Sequence, residues 1–124
     1  SLANPVSLET VPGLDHQAGL SRVNGKRSFY LTLLNKFATS QSGAADHIRD
    51  ALGQGDWVTA ERVAHTLKGV AATLGAGQVC DLAEQAEHWL KQRNSGPEFM
   101  SVLDRLEAVL TDLIAHIDQL SDSA

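Results

Sequence analysis

One cysteine, Cys80, occurs in the 124 residues, so no internal disulfide can form. A lone thiol suits a reducing compartment. Basic excess is also missing: ten Lys and Arg face fifteen Asp and Glu, for a net charge of −5. With no dense Lys/Arg cluster to offset that balance, nucleic acid and anionic lipid are poor partners. No apolar run approaches the ~20 residues of a membrane span. No basic stretch leading into an apolar one opens the chain, so no signal peptide is expected. Internal repeats, low-complexity segments and the period-2 alternation of half-buried strands are absent too. The chain carries neither a Walker-type phosphate loop nor a glycine-rich kinase loop.

What is present is helical periodicity. Hydrophobic residues make up 43% and charged residues 20% of the chain, as in a soluble globular domain. Residues 1–13 hold two prolines and no apolar stripe, and read as a linker or a remnant of excision from a longer protein. Asp15 is placed to cap a short first helix, with Gly19 weakening it. Phe29, Tyr30, Leu33, Leu34 and Phe37 then follow 3–4 spacing. Ser40, Ser42 and Gly43 predict a bend or break before Ala44, Ala45, Ile48 and Leu52 resume the stripe. Asp56 predicts the cap of a helix running to about Leu74, closed by Gly75 and Gly77. A further helix is expected from near Gln78 to about Arg93, with Val79, Leu82, Ala83, Ala86, Trp89 and Leu90 as its stripe. Pro97 suits the first turn of the last helix, whose stripe runs from Phe99 to Leu120. Four long helices with short connections predict an all-α fold, an antiparallel four-helix bundle with a short additional N-terminal helix. The bundle is expected over residues 14–120, with 121–124 as a tail.

The stretch "AHTLKGVAATLGA", residues 64–76, poses the functional question. At about 100° per residue, Ala60, Val63, Ala64, Leu67, Val70, Ala71 and Leu74 share one arc. His65 lies roughly 160° from the centre of that arc and is expected to face solvent. Its helical neighbours include Glu61, Arg62, Lys68, Gly69 and Ala72. A glycine inside a helix costs about 1 kcal/mol relative to alanine; here it leaves a bare surface beside the imidazole. An exposed neutral imidazole can take a phosphoryl group covalently, and Lys68 one turn on can meet the phosphoryl oxygens. Glu87 on the next, antiparallel helix is expected at the His65 level. There a carboxylate would bond one ring nitrogen and leave the other free to attack. Lys91, a turn beyond, adds positive potential.

These residues resemble those of the histidine phosphotransfer (HPt) domain of bacterial multistep phosphorelays. The likeness also runs through "LDHQAGLSRVNGKRSFYLTLLNKF" and "ALGQGDW" and covers roughly residues 14–93; the last helix agrees in character only. The resemblance implies that His65 is phosphorylated, with Lys68 and Gly69 as helpers. At the Glu87 position some members have glutamine; glutamate keeps the acceptor and adds a negative charge. The family's cycle implies a receiver domain as phosphoryl donor and a second receiver as acceptor, each an aspartate carrier supplying its own Mg²⁺. No cofactor is expected on this chain. The expected docking residues are Glu61, Arg62, Ala72 and Lys91. The resemblance further implies a cytoplasmic domain, free-standing or at the C-terminal end of a membrane-anchored hybrid sensor histidine kinase, and a monomer is expected.

Two other classes compete. A metal-binding bundle uses Glu-x-x-His pairs pointing inward; here Glu61 and His65, and Glu84 and His88, are four apart, so no metal site is expected. A receiver-binding helical module without covalent chemistry is the other. His16, His47, His88 and His116 read as surface residues, and Trp57 and Trp89 as packing anchors. With no nucleotide loop, the chain is predicted to be inert toward ATP on its own. Incubation with labelled ATP and no kinase checks this: label on the chain overturns it.

Overall fold

The computed structural model describes residues 7–122. Six helices follow a 3₁₀ turn at Leu8–Thr10: α1 (His16–Ser21), α2 (Arg27–Gln41), α3 (Ala44–Gly53), α4 (Trp57–Leu74), α5 (Gly77–Lys91) and α6 (Pro97–Asp122). There is no strand among the described residues. The helix starts follow local chemistry. The Asp15 carboxylate accepts the Ala18 N–H at 3.1 Å. Asp56 accepts the Thr59 N–H at 3.0 Å and the Thr59 hydroxyl at 2.6 Å. Each satisfies a donor that has no partner in the first turn of a helix. Pro97 is the first residue of α6, where its missing N–H costs nothing.

The expected break falls at Ser42–Gly43, and α2 and α3 both lie against α4 and α6. Together they form the first arm of the bundle. α4, α5 and α6 are the other three, and α4 and α5 make the most extensive contact. Their core faces carry Ala60, Ala64, Ala71, Ala83 and Ala86, all fully buried. Small side chains along a helix pair permit close approach of the axes. Leucines and isoleucines of the other faces fill the interior, with Tyr30, Phe37 and Phe99 as its largest buried side chains.

Several boundaries differ from the sequence reading. Gly77 opens α5 rather than closing α4; of the two glycines only Gly75 takes the left-handed conformation, at φ 88°. α5 stops at Lys91, and Arg93 lies beyond it with φ 55°. α6 runs through Asp122, so the expected tail begins two residues into helix; residues 123 and 124 lie outside the described residues. Phe29 is half exposed: the buried arc of α2 centres on Tyr30, Leu34, Phe37 and Ala38, and Phe29 falls off its edge.

The expected linker is corrected as well. Residues 1–6 lie outside the described residues, but Leu8 and Val11 are buried in the core. Two apolar side chains joined by one 3₁₀ turn are too short a pattern for periodicity to reveal. α1 with its two flanking residues, and Tyr30 of α2, serve the C-terminal end of α4, where the last carbonyls of a helix lack intrahelical partners. Arg22 donates to the Thr73 carbonyl at 3.0 Å. The Tyr30 hydroxyl donates to the Leu74 carbonyl at 2.6 Å, and the Asp15 N–H to the Gly75 carbonyl at 2.8 Å. Gly19 is required here for space. A Cβ on it would sit 2.6 Å from the Leu74 carbonyl oxygen and closer still to the Tyr30 ring.

Burial pushes the Tyr30 hydroxyl up to about 12 from its ordinary 10, and Asp15 adds to the shift. A raised folded value means the contribution to stability is complete below pH 10 and is lost as pH rises toward about 12. Tyr30→Phe is therefore predicted to cost about 1–3 kcal/mol at neutral pH, from the unpaired Leu74 carbonyl. It should also flatten the alkaline loss of stability. Urea melts of both chains across that alkaline range measure the two effects together.

Candidate functional site

His65 occupies the outward face of α4, with its side chain 65% exposed. α5 returns beside it after the tight Gly75–Ala76 connection. Glu87 is the one charged side chain buried among the described residues, at 4% exposure. It lies at the edge of the buried arc formed by Val79, Leu82, Ala83, Ala86 and Leu90, so its carboxylate emerges along the α4–α5 seam at the level of His65.

Three nitrogens converge on this carboxylate. His65 Nδ1 lies 2.7 Å from Oε2, Lys68 Nζ lies 2.7 Å from Oε1, and Lys91 Nζ lies 3.6 Å from Oε2. Burial pushes the Glu87 carboxyl up, but the bonds from Lys68 and His65 and the charges of both lysines outweigh it and hold the group below its usual range. The same bond to Glu87 raises the Lys68 ammonium above its ordinary value. An ionised carboxylate can only accept, so Nδ1 must carry the hydrogen and donate it. In the neutral ring Nε2 is then the unprotonated nitrogen, and it has no hydrogen-bond partner among the described residues.

The surface around the ring is open. Val58, Glu61, Arg62, His65, Glu87 and Lys91 line one shallow depression. Glu61 faces Arg93 at 3.9 Å, and the Arg93 guanidinium lies 5.9 Å over the Trp57 ring. Toward the other end of α4, a Cβ on Gly69 would meet nothing within 4 Å. Its absence relieves no internal clash. Ala72 is exposed two turns beyond His65. Glu61, Arg62 and Lys91 thus share the depression with His65, while Gly69 and Ala72 extend the same face away from it. Lys68 is bonded to Glu87 rather than standing free beside the ring.

Val58 was not singled out from the sequence. It is 62% exposed, seven residues before His65, and i,i+7 spacing puts the two on one face. That spacing was the available signal; its place in an apolar-looking first turn hid it. Among the described residues no three His, Cys, Asp or Glu side chains converge as metal ligands do. None of the helices is long and apolar enough to cross a membrane. His88 bonds Gln92, and His116 bonds the Asp112 carbonyl, both on the surface. Trp57 and Trp89 pack against the core.

The family model described as Hpt domain matches residues 32–120. It begins within α2 and reaches as far as Leu120 of α6, the helix that agrees only in character in the sequence reading. Among solved structures, the chain is similar to the crystal structure of the HPT domain from a sensor hybrid histidine kinase of Shewanella. The TM-score is 0.77 at 23% identity, covering 90% of this chain and 96% of that one. No curated protein sequence matches.

The lowered Glu87 carboxyl has a consequence for stability. Its contribution is present above the unfolded value of 4.5 and is lost as pH falls through the lower folded value. Wild type is predicted to lose stability on acidification below that value more steeply than Glu87→Gln. Denaturant midpoints measured down through the carboxylate range check this, and parallel curves would refute it.

Proposed function

The chain belongs to the Hpt domain family, a family of histidine phosphotransfer modules in phosphorelays, and on that premise we propose that His65 is its phosphoryl carrier. The supporting observation is a solvent-facing imidazole whose Nδ1 bonds a buried carboxylate at 2.7 Å. That bond orients the ring, selects the tautomer and leaves the Nε2 lone pair outward, ready for attack.

In the proposed reaction a receiver domain carrying an aspartyl phosphate docks over His65. The Nε2 lone pair forms the new P–N bond while the P–O bond to the aspartate breaks, and the aspartate leaves as a carboxylate holding the electron pair. The reverse exchange with the aspartate of a second receiver discharges the ring. Mg²⁺, brought by the receiver, shields charge on the phosphoryl oxygens. On this chain Lys68, one turn from His65, adds positive potential near those oxygens, and Gly69 leaves room for them and for the partner. Val58 gives the docking face an apolar contact within a charged rim of Glu61, Arg62 and Lys91, the usual anatomy of a transient interface. Ala72 continues the face. The reaction needs a receiver's company, which puts the domain in the cytoplasm, and the domain works as a monomer.

His65→Gln removes the only proposed acceptor while touching an exposed side chain, so the fold persists. With a phosphorylated receiver as donor, acid-labile and alkali-stable label is predicted on wild type alone. Receiver binding that survives in a chain never labelled would instead make this a docking module without chemistry. Gly69→Ala separates stability from transfer. It is predicted to stabilise the helix by about 1 kcal/mol, read in thermal melts, and to slow transfer by crowding the partner. A faster or unchanged transfer rate would remove Gly69 from the site.

A further inference from the structure

The negative charge of Glu87 beside a phosphoryl group raises a chemical question that an uncharged amide would not. Phosphorylation at Nε2 leaves the ring with Nδ1–H and a formal positive charge. If that proton stays, the ring departs in the next transfer as neutral imidazole. If it is lost, the ring must depart as imidazolate, a far poorer leaving group. Retention of the Nδ1 proton therefore decides whether the carrier can give its phosphoryl group away.

Resting on the reading of His65 above, we infer that Glu87 is a positioning residue that holds the Nδ1 proton on the phosphorylated ring and keeps His65 a competent donor into the alkaline range. The hydrogen bond at 2.7 Å is already made before phosphorylation, and it becomes an ion pair when the ring gains its charge. The charged groups facing the site come from both helices: Glu61, Arg62 and Lys68 on α4, and Glu84, Glu87 and Lys91 on α5, with Arg93 beyond α5 turned to Glu61. Lys68 and Lys91 both bind the carboxylate. They keep it ionised and cancel its charge as felt by the phosphoryl group, but on their own they repel a cationic ring. Removing the carboxylate charge thus leaves Nδ1–H facing two cations with no counter-ion. Oε2 is the atom that bonds the ring nitrogen, so the effect acts on proton retention.

The test uses the whole chain with ¹⁵N-labelled histidine, phosphorylated with phosphoramidate. In that reaction the P–N bond to ammonia breaks as the P–Nε2 bond forms. Ring ¹⁵N shifts followed against pH report the Nδ1 proton, with His65→Gln identifying the His65 signals. Wild type is expected to keep the proton to about one to three pH units above Glu87→Gln, the range an adjacent opposite charge produces. Over the same interval transfer to a receiver should hold steady in wild type and fall in the variant. Lys91→Gln removes one exposed repelling cation and is expected to move the titration upward, which keeps the test decisive if Glu87→Gln fails to fold. Coincident titrations in wild type and Glu87→Gln, or a downward shift in Lys91→Gln, would overturn the inference. Absence of any His65 phosphoryl signal in wild type would overturn the reading of His65, and this inference with it.

Discussion

A carboxylate withdrawn from water inside a helical bundle is tolerated only if its charge and its lone pairs are met nearby. Glu87 meets that requirement with Lys68 on one oxygen and His65 and Lys91 on the other. The consequences reach in both directions along the chain. α4 and α5 must hold one register, because a shift of a single turn would strand the carboxylate. The alanines on their core faces let the two helices come close enough for short side-chain bonds to span the seam. The imidazole, though mostly exposed, is held in one orientation by a group that is almost wholly buried. Rigidity at a solvent-facing site is thereby borrowed from the core.

A second constraint acts at the far end of α4. Its last carbonyls would be left without donors by the helix itself. They are met by Arg22, by the Tyr30 hydroxyl and by the Asp15 N–H. Three pieces of chain from the first thirty residues thus tie down the helix that carries His65. Gly19 and Gly75 follow from the same packing. The first makes room for the Tyr30 ring and the Leu74 carbonyl, and the second turns the chain where a Cβ would strike the Asp15 backbone. Leu8 and Val11 are buried in the core as well. The N-terminal segment outside the family match is therefore a structural part of the histidine helix's support.

Between these two anchors the outer face of α4 is kept thin. Gly69 weakens the helix and is repaid by no internal contact. Val58 is exposed at an energetic disadvantage a polar residue would not carry. Both make sense on a surface shaped for something other than the chain's own stability, with the imidazole between them. Local rules of helix design are broken on this face and obeyed on the buried one.

The helices, their breaks and the outward direction of His65 were legible in the sequence, because each depends on local chemistry: Asp15 and Asp56 as caps, Ser42–Gly43 as a break, and a seven-residue arc of alanine, valine and leucine opposite the histidine. The nearness of Glu87 to His65 could be reasoned from the short turn between α4 and α5, since antiparallel register across a tight connection is nearly fixed by counting. What counting could not supply was partnership. The sequence puts Lys68 one turn from His65 as a cation for phosphoryl oxygens and gives no sign that it bonds Glu87 at 2.7 Å, where a buried carboxylate competes for it more strongly than solvent does. The burial of Leu8 and Val11, the space demanded at Gly19 and the donors to the end of α4 link residues far apart in the chain. No local pattern encodes them. Periodicity and capping are short-range physics and belong to the sequence; desolvation, charge pairing and shared space exist only once the helices have met, and the tertiary structure alone decided those.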